Sequence, residues 1–136
     1  MALATMTAQA HLRIARPTDR LAEIEQQYIA GLGFERLGGF VDHEGFDGVM
    51  LGYAGAGYHL EFTQERGMPS GGVPSAEHLL VFYIADPARW SAACARAEAA
   101  AWQRVPSHNP YWDRHGVTYA DFDGYRVVLQ NSALPV

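Results

Sequence analysis

Polar and apolar residues alternate along His11-Leu-Arg-Ile-Ala-Arg16, the two-residue period of a half-buried strand. Past Pro17 the period changes. Leu21, Ile24, Tyr28 and Leu32 recur at helical spacing, with Thr18 or Asp19 placed to cap the helix and Gly31 and Gly33 placed to stop it. Three strands follow, over 34–41, 49–54 and 58–63. Turns at His43–Phe46 and Gly55–Gly57 separate them, and Asp47-Gly48 adds a second kink or bulge. Then the order begins again. His78–Ile84 reads as a strand, and Asp86-Pro87 as a helix start, a capping side chain followed by proline at the first helical position. Trp90, Cys94, Ala97 and Ala101 line one face of this second helix. Strands are predicted over 102–106, 115–121 and 125–130, with a loop at 107–114 and a tight turn at Asp123-Gly124.

The chain is therefore written twice, over 11–63 and 78–131, with a linker at 64–77 rich in glycine, proline and serine. Two half-size units that each lack a closed core are expected to pack together and leave a groove. The 136 residues amount to one α+β domain, with residues 1–9 as a frayed arm. A net charge of −5 without clusters of Lys or Arg argues against nucleic acid. The single Cys94 forms no intrachain disulfide and suits a reducing cytoplasm. The start lacks the charged region of a signal peptide, and no apolar run approaches the ~20 residues of a membrane span.

Paired strand-helix-three-strand units resemble the vicinal oxygen chelate superfamily, which includes glyoxalase I, bleomycin-resistance proteins and extradiol dioxygenases. Two stretches carry the resemblance locally. Tyr28-x-x-Gly31-Leu-Gly-Phe34 looks like the family's helix end, and Tyr119-Ala-Asp-Phe-Asp-Gly-Tyr-Arg-Val-Val-Leu129 looks like its final hairpin. The resemblance implies two βαβββ modules whose curved mixed sheets enclose a central cavity. In many members the cavity holds a divalent metal, bound by one residue from the first and one from the last strand of each module, often His and Glu. By that count the four positions here are Arg13, Glu61, Leu79 (or a neighbour within one residue) and Val128. Glu61 lies in Leu60-Glu-Phe-Thr63, like the family's Leu-Glu-Leu-Thr. One expected ligand of four survives, since Arg13 stays protonated and Leu79 and Val128 have no donor atoms.

Strand alternation sorts the faces. His11, Arg13 and Ala15 share a face, as do His59, Glu61 and Thr63, and these polar faces are assigned to the cavity, with Leu12 and Ile14 turned to the helix. In the second module the matching residues are Leu79, Val81 and Tyr83, then Arg126, Val128 and Gln130. The lining should be charged on one half and mostly apolar on the other. Arg13 is expected to pair with Glu61 through two hydrogen bonds, standing where relatives hold a metal. Truncating Arg13 would cost roughly 3–5 kcal/mol if that pair were fully buried. The rival arrangement is a nonstandard metal site from His59, Glu61 and either His11 or His78, completed by water or substrate.

Cys94 and the tryptophans Trp90 and Trp102 read as packing residues. Tyr111 and Trp112, in a loop with Asn109 and Pro110, either contact a ligand or plug the sheet. His108 and His115 flank that loop. No catalytic residue is assigned, and no Ser-His-Asp arrangement, phosphate loop or CxxC pair is present. The expected function is a cavity binding a small organic molecule, lined by Arg13, Glu61, His59, His11, Tyr83, Tyr111, Trp112 and Val128, with no cofactor. The alternative is a metal-dependent lyase, isomerase or dioxygenase. A homodimer is expected by resemblance.

Overall fold

The computed structural model describes residues 7–72 and 74–135. They form two four-stranded mixed sheets and two helices, arranged as two βαβββ modules. The first module comprises β1 (Leu12–Pro17), α1 (Leu21–Leu32), β2 (Glu35–His43), β3 (Phe46–Gly52) and β4 (Tyr58–Glu65). The second comprises β5 (Leu79–Tyr83), α2 (Pro87–Ala99), β6 (Gln103–Val105), β7 (Gly116–Ala120) and β8 (Arg126–Gln130), with a short 3-10 turn at Pro110–Asp113. Strand orders are β1-β4-β3-β2 and β5-β8-β7-β6. In each sheet the first strand runs parallel to the last, and the other pairs are antiparallel.

The described residues divide into two compact units. One holds the chain up to Glu25 together with Phe34–Ser70; the other holds Gln26–Gly33 and the chain from Gly71 onward. In the first unit, Val49, Leu51, Leu60 and Phe62 project from β3 and β4 into a core where each is at most 1% exposed. Each such side chain contributes about 1.5–3 kcal/mol through burial. Thr18 Oγ1 accepts from the Arg20 N–H and Gln64 Oε1 accepts from the Leu21 N–H, satisfying the free donors at the start of α1. Asp19, the other expected cap, instead accepts from the Ser70 N–H and hydroxyl. The β2–β3 pairing carries two register shifts, between Arg36 and Gly38 and between Phe40 and His43, and β2 lies at the edge of its sheet. Strand β3 begins at Phe46, so Asp47-Gly48 lies within a strand, and the register shift between Phe40 and His43 falls opposite it, where a kink or bulge was expected. Leu12 pairs with Tyr58, two residues before Leu60, and so keeps the expected helix side, yet it is 56% exposed because β1 is the other edge strand and its flanks are largely open.

The second unit gathers its core from β7, β8, α2 and the last turns of α1. Val117, Tyr119, Val127, Val128 and Leu129 are buried, with Cys94 and Ala97 beneath α2. Asp86 caps α2 by accepting from the Arg89 N–H, with Pro87 following. Ala101, expected on the apolar face of this helix, lies beyond its end in a left-handed conformation. Tyr28 Oη donates to Asp121 Oδ2 at 2.7 Å, while Asp121 Oδ1 accepts from the Asp123 and Tyr125 N–H groups and closes the last hairpin. Burial raises the Asp121 pKa despite these donors. Gly31 was expected to stop α1 but sits inside it. A Cβ there would collide with the Trp102 indole, whose N–H reaches the Gln27 carbonyl at 3.0 Å, so the glycine admits the ring. Gly33, with φ of 75°, is the residue that ends the helix.

Candidate functional site

The parallel register sets Arg13 beside His59 and Ala15 beside Glu61. From the other side β3 sets Gly52 beside His59 and Met50 beside Glu61. Because strand residues alternate in direction, these side chains share one face of the first sheet. Arg13 Nη1 donates to Glu61 Oε2 at 3.1 Å, and Arg13 Nε donates to His59 Nε2 at 2.8 Å. His59 Nδ1 in turn meets His11 Nε2 at 2.5 Å, with ring centroids 4.7 Å apart. The expected pairing of Arg13 with Glu61 is present, but the guanidinium fork is divided between Glu61 and His59 instead of gripping one carboxylate. Side-chain exposure is 50% for Arg13 and 13% for Glu61, so the fully buried pair assumed in the 3–5 kcal/mol figure is not what forms.

The donors settle the tautomers. Arg13 Nε carries a hydrogen at all accessible pH, so His59 Nε2 must present a lone pair, leaving Nδ1–H to donate to His11. Desolvation holds the His59 pKa below its ordinary value, with the Arg13 charge and His11 adding to the effect and Glu61 opposing it. The four side chains thus form one wired row: imidazole, neutral imidazole, guanidinium, carboxylate. The exposed half of Arg13 leaves N–H groups free to meet an acceptor on a bound molecule.

The second sheet repeats the register. Glu61 faces Ala15, two residues after Arg13; Val128 faces Val81, two residues after Leu79. Leu79 is therefore the counterpart of Arg13, and Val128 that of Glu61. Val128 is fully buried and Leu79 half-buried. Tyr83, half-buried, lies opposite Gln130 at the end of β5. Tyr111 is 45% exposed and stacks edge-on with Trp112 at 5.0 Å, with the Arg114 guanidinium over its ring. So His11, Arg13, His59 and Glu61 stand together in the first unit, while Tyr83, Tyr111, Trp112 and Val128 belong to the second. Sequence reading passed over Thr118, whose buried hydroxyl has no hydrogen-bond partner among the described residues. Its signal was the run of small residues Gly116, Thr118 and Ala120 at alternate positions of β7.

Family models described as the YycE-like N-terminal domain and the YycE-like C-terminal domain match residues 12–63 and 77–131. A Bacillus subtilis (strain 168) protein, described as uncharacterized protein YycE, is 46% identical over 123 residues, covering 90% of this chain and 88% of its own. The chain belongs to the YycE-like family. A 2.0 Å crystal structure of a YycE protein of unknown function from Bacillus subtilis, for which a glyoxalase/fosfomycin resistance role has been suggested, superposes with a TM-score of 0.86 at 45% identity, covering 93% and 92% of the two chains. The Leishmania major trypanothione-dependent glyoxalase I shares the fold at a TM-score of 0.71 and 20% identity, covering 91% of this chain and 87% of that one. This YycE-like chain thus carries the vicinal oxygen chelate fold. The divalent metal of that superfamily does not fit the donors present: Arg13 has no lone pair, both His59 nitrogens are engaged, and Leu79 and Val128 offer nothing. Among the described residues no three His, Cys, Asp or Glu side chains gather as a metal site. No helix among them is long and apolar enough to cross a membrane.

Proposed function

We propose that this YycE-like protein binds a small organic molecule on the open face of its first sheet, with Arg13 in the role that a metal ion plays in relatives. One observation carries this reading. A permanent cation is hydrogen-bonded to both Glu61 and His59, the two residues best suited to ligate a metal. A guanidinium there satisfies the carboxylate and still has N–H groups to offer an acceptor on the ligand. The glyoxalase/fosfomycin resistance role suggested for the Bacillus subtilis relative supports the same class of ligand.

The test uses protein purified without chelator, titrated with Ni, Zn, Mn and Fe salts in a thermal-shift assay. The wild type should not respond, and Arg13→His, which replaces the cation with a ligand between His59 and Glu61, should acquire a metal-dependent rise in Tm. A rise of several degrees in the wild type at low metal concentration would overturn the proposal.

A further inference from the structure

The hydrogen-bonded row on the first sheet has spent most of its acceptors and kept donors. A guanidinium carries five N–H groups. Nε of Arg13 gives its one to His59 and Nη1 gives one to Glu61, so Nη1 keeps one and Nη2 keeps both. Both His59 nitrogens are engaged, accepting from Arg13 and donating to His11. Glu61 Oε1 is the acceptor left beside Arg13, on a side chain only 13% exposed, whereas that of Arg13 is 50% exposed. A molecule arriving at this point of the face meets N–H groups first.

Beyond the row the same face turns apolar. Cross-strand pairing sets Met50 beside Glu61, Gly52 beside His59 and Gly48 beside Thr63. A Cβ at Gly52 would lie 3.3 Å from Leu37 Cδ1, so Leu37 leans over that glycine, and the ring of Phe40 lies over Gly48 in the same way. Met50 and Phe40 are half-buried and Leu37 is exposed. Strand β3 runs between β4, which carries His59 and Glu61, and β2, which carries Leu37 and Phe40. At Gly48 and Gly52 it raises no side chain between them. We infer that this face is a site for a small monocarboxylate with an apolar body, its carboxylate on the free N–H groups of Arg13 and its body laid across Met50, Leu37 and Phe40. The inference rests on the ligand face proposed above and adds the class of ligand. Carboxylate oxygens accept and do not donate, which suits a cation whose remaining groups are all N–H. One negative charge is the limit. Arg13 already serves Glu61, so a doubly charged head would set three negative charges against one cation. A cationic head would meet the guanidinium before it met Glu61.

The experiment is a ¹H–¹⁵N NMR titration of the full chain at pH 8, above the ordinary titration range of imidazole. The probes are benzoate, acetate, phenyl phosphate, benzylamine and methyl benzoate. Benzoate should shift the backbone signals of Arg13, His59, Met50 and Gly52. Acetate, which lacks the apolar body, should bind about tenfold more weakly. Phenyl phosphate, doubly charged at this pH, benzylamine and methyl benzoate should each bind at least about threefold more weakly than benzoate. Arg13→Lys keeps the charge and loses the planar fork, and should weaken benzoate about threefold to tenfold. The proposal is overturned if benzoate leaves these signals in place, if any other probe binds as tightly, or if Arg13→Lys binds benzoate as the wild type does. Should another probe move these signals while benzoate does not, the carboxylate class fails and the ligand face stands; a metal-dependent rise in the Tm of the wild type removes the face itself.

Discussion

Arg13 and Leu79, Glu61 and Val128, Gly48 and Gly116 occupy the same places in two sheets that share strand order and pairing register. What differs is the chemistry standing on them. The first sheet carries a guanidinium, a carboxylate and two imidazoles in hydrogen-bonded contact, under a nine-residue β2 that supplies Phe40. The second carries leucine and valine at the matching places, under a three-residue β6 that leaves a hollow. The comparison separates what the repeat dictates from what it permits. Backbone pairing sets which positions face each other, and a carboxylate stands where its own unit supplies partners for it, a guanidinium for Glu61 and neutral donors for Asp121.

The sharpest way to break the comparison is to move the carboxylate. Val128→Glu places a charge at a fully buried position whose cross-strand partners are Val81 and Thr118, and should destabilise by about 3–5 kcal/mol at neutral pH in urea denaturation. Adding Leu79→Arg, the counterpart of Arg13, should recover a large part of that loss. A double variant no more stable than Val128→Glu would show that the two registers are not equivalent. A smaller effect is expected from the reverse operation. Arg13→Met leaves Glu61, 13% exposed, without its partner, but Arg13 is half in water, so the cost should be about 1–2 kcal/mol, between that of exposed and buried pairs. Glu61→Gln in the same chain should soften it.

Most of the strand order was legible because two-residue alternation and turn residues are local signals, and the duplication let each half check the other. The same holds for the Arg13–Glu61 contact, which followed from strand parity once the register was guessed. Other features depended on packing between distant segments. Gly31 looked like a helix stop because the reason for it, the Trp102 indole, comes from 71 residues later in the chain. The exposure of Leu12 was not legible because alternation says which face a side chain takes and not whether anything covers that face. Thr118 was passed over because its significance is a missing hydrogen bond, and sequence cannot display a partner that is absent.

The smallest predicted effect is the shift of His59. Its pKa is lower folded than unfolded, so the unfolded chain takes up the proton first as pH falls. Stability should therefore be lost as pH drops through the ordinary histidine value of 6.5 toward the lower folded value, and be fully present above it. Chemical denaturation between pH 8 and 5 measures this, and His59→Gln should flatten the profile. An unchanged slope would remove His59 from the hydrogen-bonded row.

The two register shifts in β2 have a further consequence. An open strand edge of nine residues, with Val41 and Leu37 exposed on it, is a template on which another chain can add its own backbone and start an aggregate. Irregular pairing at Arg36/Gly38 and Phe40/His43 and the positive φ of Asp42 break the even spacing that such an addition would need. Straightening that edge would make it a better template for fibre growth, with no change at Arg13, His59 and Glu61.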